Sequence, residues 1–168
     1  MKTKDLTVLS LMTALALALS WVERMIPLEL VIPLPGVRLG LANTVTLFAL
    51  YRLSLPAAAM ILLARCLLTA AFSGNMTGLA FSLAGGLLAM GVMALSKRSR
   101  HLSVYGVSVL GAAGHNCGQI LIAMALMHSA GVLGYLPYLL LIGVACGLAT
   151  GAVSAGVLRA LRREPRPA

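Results

Sequence analysis

Long apolar segments follow one another along this chain, and short polar or proline-bearing turns separate them. A helical segment of about 20 apolar residues matches the hydrocarbon thickness of a bilayer. Hydrophobic residues make up 60% of the 168 residues and charged residues only 10%, well below the share in soluble domains. The pattern predicts an all-α membrane protein with five or six spanning helices and no separate soluble domain.

Prolines, glycines and basic residues mark the ends of the predicted helices. The segments are 5–24, 39–53, 56–71, 76–95, 103–127 and 135–161, a six-helix transmembrane bundle in a single domain, 1–161. The first apolar run reaches full span length, so we expect a retained helix instead of a cleaved signal peptide. We expect that helix to end in water at Glu23 and Arg24, and residues 162–168 to form a flexible cytoplasmic tail.

The net charge of +9 reflects membrane topology, because the basic residues lie at helix ends and not on a solvated face. Six spans would place both termini on one side. That side would carry Lys2, Lys4, Arg52, Lys97, Arg98, Arg100, Arg159, Arg162, Arg163 and Arg166, and the other side only Arg24 and Arg38. Both termini are therefore predicted to be cytoplasmic, in a multi-pass protein of the bacterial cell membrane that binds no nucleic acid.

Residues 33–51 pass from a loop with proline and glycine into an apolar helix that carries Arg38 and Asn43. Non-helical backbone near a bilayer is tolerated where protein or a water-filled cavity satisfies it. We therefore expect this stretch to form the lid and wall of a binding cavity.

Arg65 lies inside the third predicted helix, roughly 13 Å past Pro56 and deep in the hydrocarbon. A charge there normally faces a cavity or a partner. The alternative is that Arg65 snorkels to the interface or forms a structural ion pair with Glu23 or Glu29.

The fifth predicted helix carries the sequence GHNCGQ at 114–119. His115 and Gln119 are four residues apart, and Asn116 lies within about 100° of both, so the three are predicted to share one face. With the predicted topology, they fall in the outer half of the bundle with Arg38, Asn43 and Arg65. The alternative is that these side chains only join helices by hydrogen bonds.

Two arginines in one cavity would favour an anionic ligand, and the many apolar neighbours would suit a ligand with an apolar body. The candidate substrate-binding residues are Arg38, Asn43, Arg65, His115, Asn116 and Gln119.

The sequence lacks the groups that an enzyme of this kind would need. It has one Asp and three Glu, so it cannot build the paired Asp-rich motifs that hold magnesium on a prenyl diphosphate. It has no P-loop, no HExxH, no GxSxG, and no Cys/His cluster among its three scattered cysteines. We predict no catalysis, no metal and no cofactor.

Small residues recur every fourth position in three segments, and such ridges let helices approach closely. The glycine-rich ridges in the fourth and sixth predicted helices are expected to pack within the bundle. The ridge of Ser10, Ala14 and Ala18 on the first helix is a candidate surface for a partner protein.

The segments PGVRLGLAN at 35–43 and GHNCGQ at 114–119 resemble the Gx transporter family, which is also labelled heptaprenyl diphosphate synthase component I. That family is similar to the substrate-binding S components of energy-coupling-factor (ECF) transporters. The resemblance implies six short helices, an outward-facing cavity covered by the first loop, and a membrane T component with two ATPase subunits as partners. It also implies that Ala14 and Ala18 meet the T component.

Three hypotheses follow. The chain is a substrate-capture subunit of an uptake transporter that binds a small, anionic and partly apolar molecule, such as an isoprenoid or quinone precursor or a vitamin-like compound. The alternative is a non-catalytic membrane partner of a prenyl diphosphate synthase. The third is a stand-alone facilitator or small channel, which would show flux in liposomes without ATPase subunits.

Overall fold

The computed structural model describes residues 3–26 and 38–163, with the backbone alone at 162 and 163. The proposed lid over 33–37 and the end of the predicted tail, 164–168, lie outside the described residues. Positions 162 and 163 continue the last helix, so the helical part of the chain extends two residues beyond its predicted end.

The described chain folds into six α-helices. They are α1 (Thr3–Arg24), α2 (Asn43–Arg52), α3 (Leu55–Ser73), α4 (Met76–Ser96), α5 (Val104–Met127) and α6 (Leu136–Arg163), and a 3-10 helix, Ala130–Tyr135, precedes α6. The second helix begins at Asn43 and not at position 39 as predicted. The reason is Gly40, whose φ of +81° places it in the left-handed region and turns the chain before the helix can start.

Side-chain caps fix where three of the helices begin. Ser54, Asn75 and Ser103 have extended backbone, and each side-chain oxygen accepts a hydrogen bond from a backbone N–H three residues later. Such caps satisfy N–H groups that the first helical turn leaves without partners. The predicted starts of α3, α4 and α5 lie within one residue of these observed starts.

Five of the described helical segments are long and apolar enough to cross a membrane, namely α1, α3, α4, α5 and the segment that contains α6. This matches the expected multi-pass membrane protein. The 10 residues of α2 are about 15 Å long, roughly half the thickness of the hydrocarbon.

The short helix α2 lies at the centre of the bundle and contacts each of the other five α-helices. Leu47 and Ala49 on α2 pack in one apolar core with Ala16 of α1, Ile61 of α3 and Val107 of α5. The polar residues at the start of α2 are thereby surrounded by protein.

Glycines allow α4, α5 and α6 to pack closely. On α6 these glycines belong to the predicted ridge, whereas the contact between α4 and α5 is made by Gly118, which no predicted ridge contained. A Cβ on Gly118 of α5 would stand 2.6 Å from the carbonyl oxygen of Ala84 on α4. A Cβ on Gly147 of α6 would stand 2.7 Å from Cα of Val109 on α5. The two helix pairs are therefore in near backbone contact, which only small residues permit.

Helix α1 packs with one face and leaves the other exposed. Its buried residues are Ala16, Ser20 and Glu23. The small-residue ridge formed by Ser10, Ala14 and Ala18 lies on the opposite, exposed side. The prediction that Glu23 ends the helix in water is wrong, because this carboxylate is 4% exposed and points into the bundle.

Candidate functional site

A group of polar residues lies between α1, α3, α5 and the start of α2, where the apolar core ends. We call it the polar cluster. Its members are Ser20, Glu23, Arg38, Gly40, Asn43, Arg65, His115 and Gln119, and all are buried except the half-buried Arg38. Five of the six candidate binding residues are thus brought together from segments far apart in the sequence.

Arg65 extends from the middle of α3 into the polar cluster and is 3% exposed, so it does not snorkel along the lipid face. Its Nη1 donates to Ser20 Oγ at 3.3 Å, and its Nη2 donates to Asn43 Oδ1 at 3.4 Å. Both acceptors are neutral, and none of the described residues accepts a hydrogen bond from Nε of Arg65. The guanidinium is therefore held in place while its charge is only partly balanced by these contacts. Glu29, the other proposed ion-pair partner, lies outside the described residues.

Glu23 secures the turn that leads into α2. Its Oε1 accepts a hydrogen bond from the backbone N–H of Gly40. A Cβ at Gly40 would stand 2.9 Å from Asn43 Nδ2 and 2.9 Å from His115 Cδ2. Glycine is needed here both for the positive φ and because Asn43 and His115 approach the backbone closely.

Gln119 binds the backbone of Arg38 in both directions. Its Oε1 accepts from the Arg38 N–H at 3.2 Å, and its Nε2 donates to the Arg38 carbonyl at 2.9 Å. These two contacts fix the orientation of the amide, because exchanging its oxygen and nitrogen would break both. A side chain on α5 thereby fixes the segment that enters α2.

The same amide determines the tautomer of His115. Gln119 Nε2 lies 2.7 Å from His115 Nε2, and an amide nitrogen can only donate. The imidazole Nε2 is therefore the acceptor, and its proton is assigned to Nδ1. Within residues 3–26 and 38–163, that Nδ1 has no hydrogen-bond partner. It faces Gly85 of α4, where a Cβ would stand 2.7 Å away.

Asn116 lies apart from the polar cluster. Its Nδ2 donates to the carbonyl of Leu139 on α6 at 2.6 Å, and a Cβ at Gly143 would stand 2.4 Å from the same nitrogen. The structure thus separates Asn116 from His115 and Gln119, with which it was predicted to share a face. Here the side chain joins two helices, as the alternative interpretation of GHNCGQ holds.

The Arg38 side chain reaches α4. A Cβ at Gly78 would stand 2.9 Å from Arg38 Nη2, so the absence of a side chain at Gly78 makes room for the guanidinium. Arg38 Nη1 is buried and has no hydrogen-bond partner among the residues that the structure describes.

The electrostatics of this end of the bundle favour an anion. Among the described residues, Glu23 is the carboxylate that interacts with the charges of Arg38 and Arg65. Within the described part of the chain, buried N–H groups on both arginines lack hydrogen-bond partners, and a buried unsatisfied donor costs free energy. An anion that accepted from these groups would recover that energy through charge-assisted hydrogen bonds.

The described residues also outline a small cavity beside the polar cluster. Its volume is about 10 Å³, near the size of one water molecule, and it lies between Gly40, Asn43, Ser108 and Thr150. Across residues 3–26 and 38–163, no three His, Cys, Asp or Glu side chains come together in a way that could hold a metal ion.

Sequence reasoning missed Ser20 and Gly40 as members of the polar cluster, and it named Glu23 only as an alternative ion-pair partner of Arg65. The spacing of Ser20 and Glu23, three residues apart, places them on one helix face with Ala16, opposite the small-residue ridge. Two polar residues on the face away from the ridge were the sequence signal that Ser20 and Glu23 face the interior of the bundle. Gly40 was recognisable only as a glycine just before an apolar run.

One protein-family model, described as heptaprenyl diphosphate synthase component I, matches residues 12–157 of the chain. That stretch contains all six candidate binding residues. No curated protein matches the chain, and no solved structure does so.

Proposed function

The chain belongs to the heptaprenyl diphosphate synthase component I family, and from this membership and the polar cluster we propose that it is the substrate-binding subunit of an ECF-type uptake transporter. It captures a small, anionic and partly apolar molecule from outside the cell. It does not catalyse a reaction itself.

The single observation that carries the proposal is the pair of arginines in the polar cluster. Arg38 and Arg65 come from different segments, and each has a buried N–H group without a hydrogen-bond partner among residues 3–26 and 38–163. A purely structural ion pair would satisfy its own groups, since unpaired buried donors are destabilising. Arg38 and Arg65 hold the anion, and Asn43, His115 and Gln119 orient the rest of the ligand.

The apolar residues around the polar cluster support the proposal that the ligand is partly apolar. Leu62 of α3 lies beside Gly86, where a Cβ would stand 2.5 Å from Leu62 Cδ1 and 3.4 Å from Arg65 Nη2. Charged and aliphatic groups thus adjoin within one helix turn. A ligand with an anionic head and an apolar body matches that pairing.

We propose the following membrane arrangement for this function. The polar cluster lies toward the outside, both termini are cytoplasmic, and the chain crosses the membrane six times. The exposed ridge of Ser10, Ala14 and Ala18 binds a T component, which connects the chain to two ATPase subunits. The whole bundle then tilts against these partners to deliver its ligand.

The first test identifies what the protein carries. Wild-type protein and the Arg65→Gln variant are purified in mild detergent, and the small molecules extracted from each are compared by mass spectrometry. We expect an anionic compound that is present with the wild type and reduced at least tenfold with Arg65→Gln, because one charge-assisted hydrogen-bond partner is lost.

Arg100→Gln is the matched control, since it removes the same charge from an exposed site far from the polar cluster. Retention of the compound by the folded Arg65→Gln variant would remove Arg65 from the binding site. Circular dichroism and size-exclusion chromatography establish that each variant is folded.

The second test concerns the partner surface. Ala14 and Ala18 are exposed, so the double substitution Ala14→Leu, Ala18→Leu leaves the internal packing intact. We expect it to abolish recovery of ATPase subunits from solubilised membranes while the thermal unfolding midpoint stays unchanged. Ala16→Leu is the contrasting variant, because Ala16 is fully buried and the larger side chain should destabilise the bundle. Undiminished recovery with the double variant would contradict the assigned surface.

The family description favours one other function, that of a non-catalytic membrane partner for a prenyl diphosphate synthase. Its contact surface would be the basic loop of Lys97, Arg98, Arg100 and His101, all of which are exposed. Recovery of a soluble prenyltransferase in the same pull-down, with no ATPase subunit, would support this function and exclude the transporter.

A further inference from the structure

A cleft of about 400 Å³ lies between the end of α2, the start of α5 and the last turns of α6. Gln119 is 15 residues beyond the start of α5, so the cleft is roughly 22 Å from the polar cluster along that helix. No member of the polar cluster lines it. The cleft is therefore a separate feature of the molecule.

Two arginines from different helices line this cleft, Arg52 at the end of α2 and Arg159 on α6. Among the described residues that line the cleft, none is acidic. Lys97 contacts one of the lining residues from outside the lining set, since its Nζ lies 5.0 Å from the ring centre of Tyr51 and donates to the Leu50 carbonyl. The α5 N-terminus opens on the same cleft and contributes the positive end of a 24-residue helix dipole. These charges would attract an anion.

The remaining walls are apolar. Val104, Ala155 and Leu158 line the cleft between the arginines. Their sequence neighbours Leu102 and Val157 are exposed on the outside of the bundle. Exposed apolar side chains that a membrane would cover therefore lie close in sequence to the apolar wall of the cleft.

We propose that this cleft binds the phosphate headgroup of an anionic membrane phospholipid, with the acyl chains lying against Val104 and Leu158. Arg52 and Arg159 hold the phosphate. Basic pockets between transmembrane helices on the cytoplasmic side are suited to anionic headgroups. A soluble anion would use the arginines but not the apolar wall, and a protein partner would not need a cleft that opens toward lipid.

The test measures lipid binding by the full-length protein in detergent. Native mass spectrometry compares phosphatidylglycerol with phosphatidylcholine carrying the same acyl chains. We expect tighter binding of phosphatidylglycerol, and a loss of about 5-fold for Arg52→Gln or Arg159→Gln and roughly 25-fold for the double variant.

The control is the double variant Lys4→Gln, Arg100→Gln, which removes two exposed positive charges that do not line the cleft. It should bind phosphatidylglycerol like the wild type. Equal loss in both double variants would indicate attraction by net charge alone and overturn the site, as would wild-type binding by the folded Arg52→Gln, Arg159→Gln variant.

A competition arm separates lipid from free phosphate. Inorganic phosphate at the same concentration as the lipid should displace little of it, because phosphate lacks the apolar contacts. Complete displacement would overturn the assignment of the cleft to a lipid. The polar cluster is untouched by all four substitutions, so these results are independent of the transporter proposal.

Discussion

Among single residues, Gln119 determines most of the geometry of the polar cluster, because its amide meets three groups at once. It pairs with both backbone groups of Arg38 and with His115 Nε2. The side chain is fully buried, so each of these partners would lose its contact without water to replace it. The position of Arg38 in the site therefore depends on a residue 81 positions away.

We predict that Gln119→Ala increases the hydrogen-exchange rate of the Arg38 backbone amide by about tenfold, since the loss of a buried hydrogen bond lowers the free energy of local opening. Asn116→Ala is the matched control, because Asn116 is on the same helix and bonds to α6 instead. Exchange measured by mass spectrometry should leave the Arg38 peptide unchanged in this control. Equal rates in the two variants would contradict the role of Gln119.

The residues of the polar cluster that could be predicted are those whose side chains are polar and lie within an apolar membrane segment. Arg65, His115 and Gln119 are polar groups within apolar segments, and the structure brings them together. Glu23 was assigned to water because it lies at a helix end, where solvent is the usual surrounding. Its burial follows from the turn at Gly40, and no pattern in the sequence indicates that this turn returns to α1.

Asn116 shows the limit of an argument from helix angles. Asn116 is about 100° from His115 around α5, so its amide could contact either the polar cluster or another helix. The sequence does not tell which helix lies on that side. Helix α6 passes there, and the Leu139 carbonyl takes the hydrogen bond. The sequence thus identified the polar segment GHNCGQ, but it did not show that Asn116 would contact α6 while His115 and Gln119 join the polar cluster.

Among the helices, the contacts of α4, α5 and α6 depend on the absence of side chains at specific glycines. Gly118 meets backbone atoms of Ala84 and Gly85, which cannot rotate away as a flexible side chain could. Gly91 of α4 has open space around it. Both glycines lie inside helices, so the two differ in packing and not in local conformation.

We predict that Gly118→Ala destabilises the protein by about 1–3 kcal/mol, because the added methyl group forces α4 and α5 apart. Gly91→Ala should instead be neutral or stabilising by up to about 1 kcal/mol, since alanine loses less backbone entropy in a helix. Unfolding in mixed micelles, followed by circular dichroism, measures both. Equal free energies of unfolding for the two variants would contradict the close contact of α4 and α5 at Gly118.

The helices themselves could be predicted because their ends carry clear chemical signals. Ser54 with Pro56, Asn75 and Ser103 mark the starts of α3, α4 and α5, and the structure uses each of the three polar residues as a cap. The start of α2 was misplaced because residues 39–42 are apolar apart from Gly40, so hydropathy continues where the helix does not. Only the backbone angle at Gly40 reveals the turn.

For the molecule as a whole, the distribution of basic residues predicts the membrane sidedness. Arg52, Lys97, Arg98 and Arg100 lie at ends of the bundle opposite the polar cluster, which would place that cluster outside. Because α2 is short, the side of the membrane on which each later loop lies depends on whether residues 27–54 cross the membrane once. Two loops report on it directly.

We predict that alkaline phosphatase fused after residue 74 is active, and that the same enzyme fused after residue 100 or 161 is inactive. The reporter folds only outside the cytoplasm, and six crossings place the first site outside and the other two inside. A green fluorescent protein at the same three positions is the reciprocal control. The inverted pattern would mean that α2 and its preceding residues do not cross.

The central position of the short α2 also has a consequence for how the protein is made. Helix α2 emerges from the ribosome before α3, α4, α5 and α6, yet it contacts all four of them. Asn43 and Thr46 therefore lack their helix neighbours, in the membrane or in the insertion machinery, until the later segments have been inserted. Maturation is completed only when the C-terminal half has been delivered, and chains truncated after α4 should be substrates for quality-control proteases.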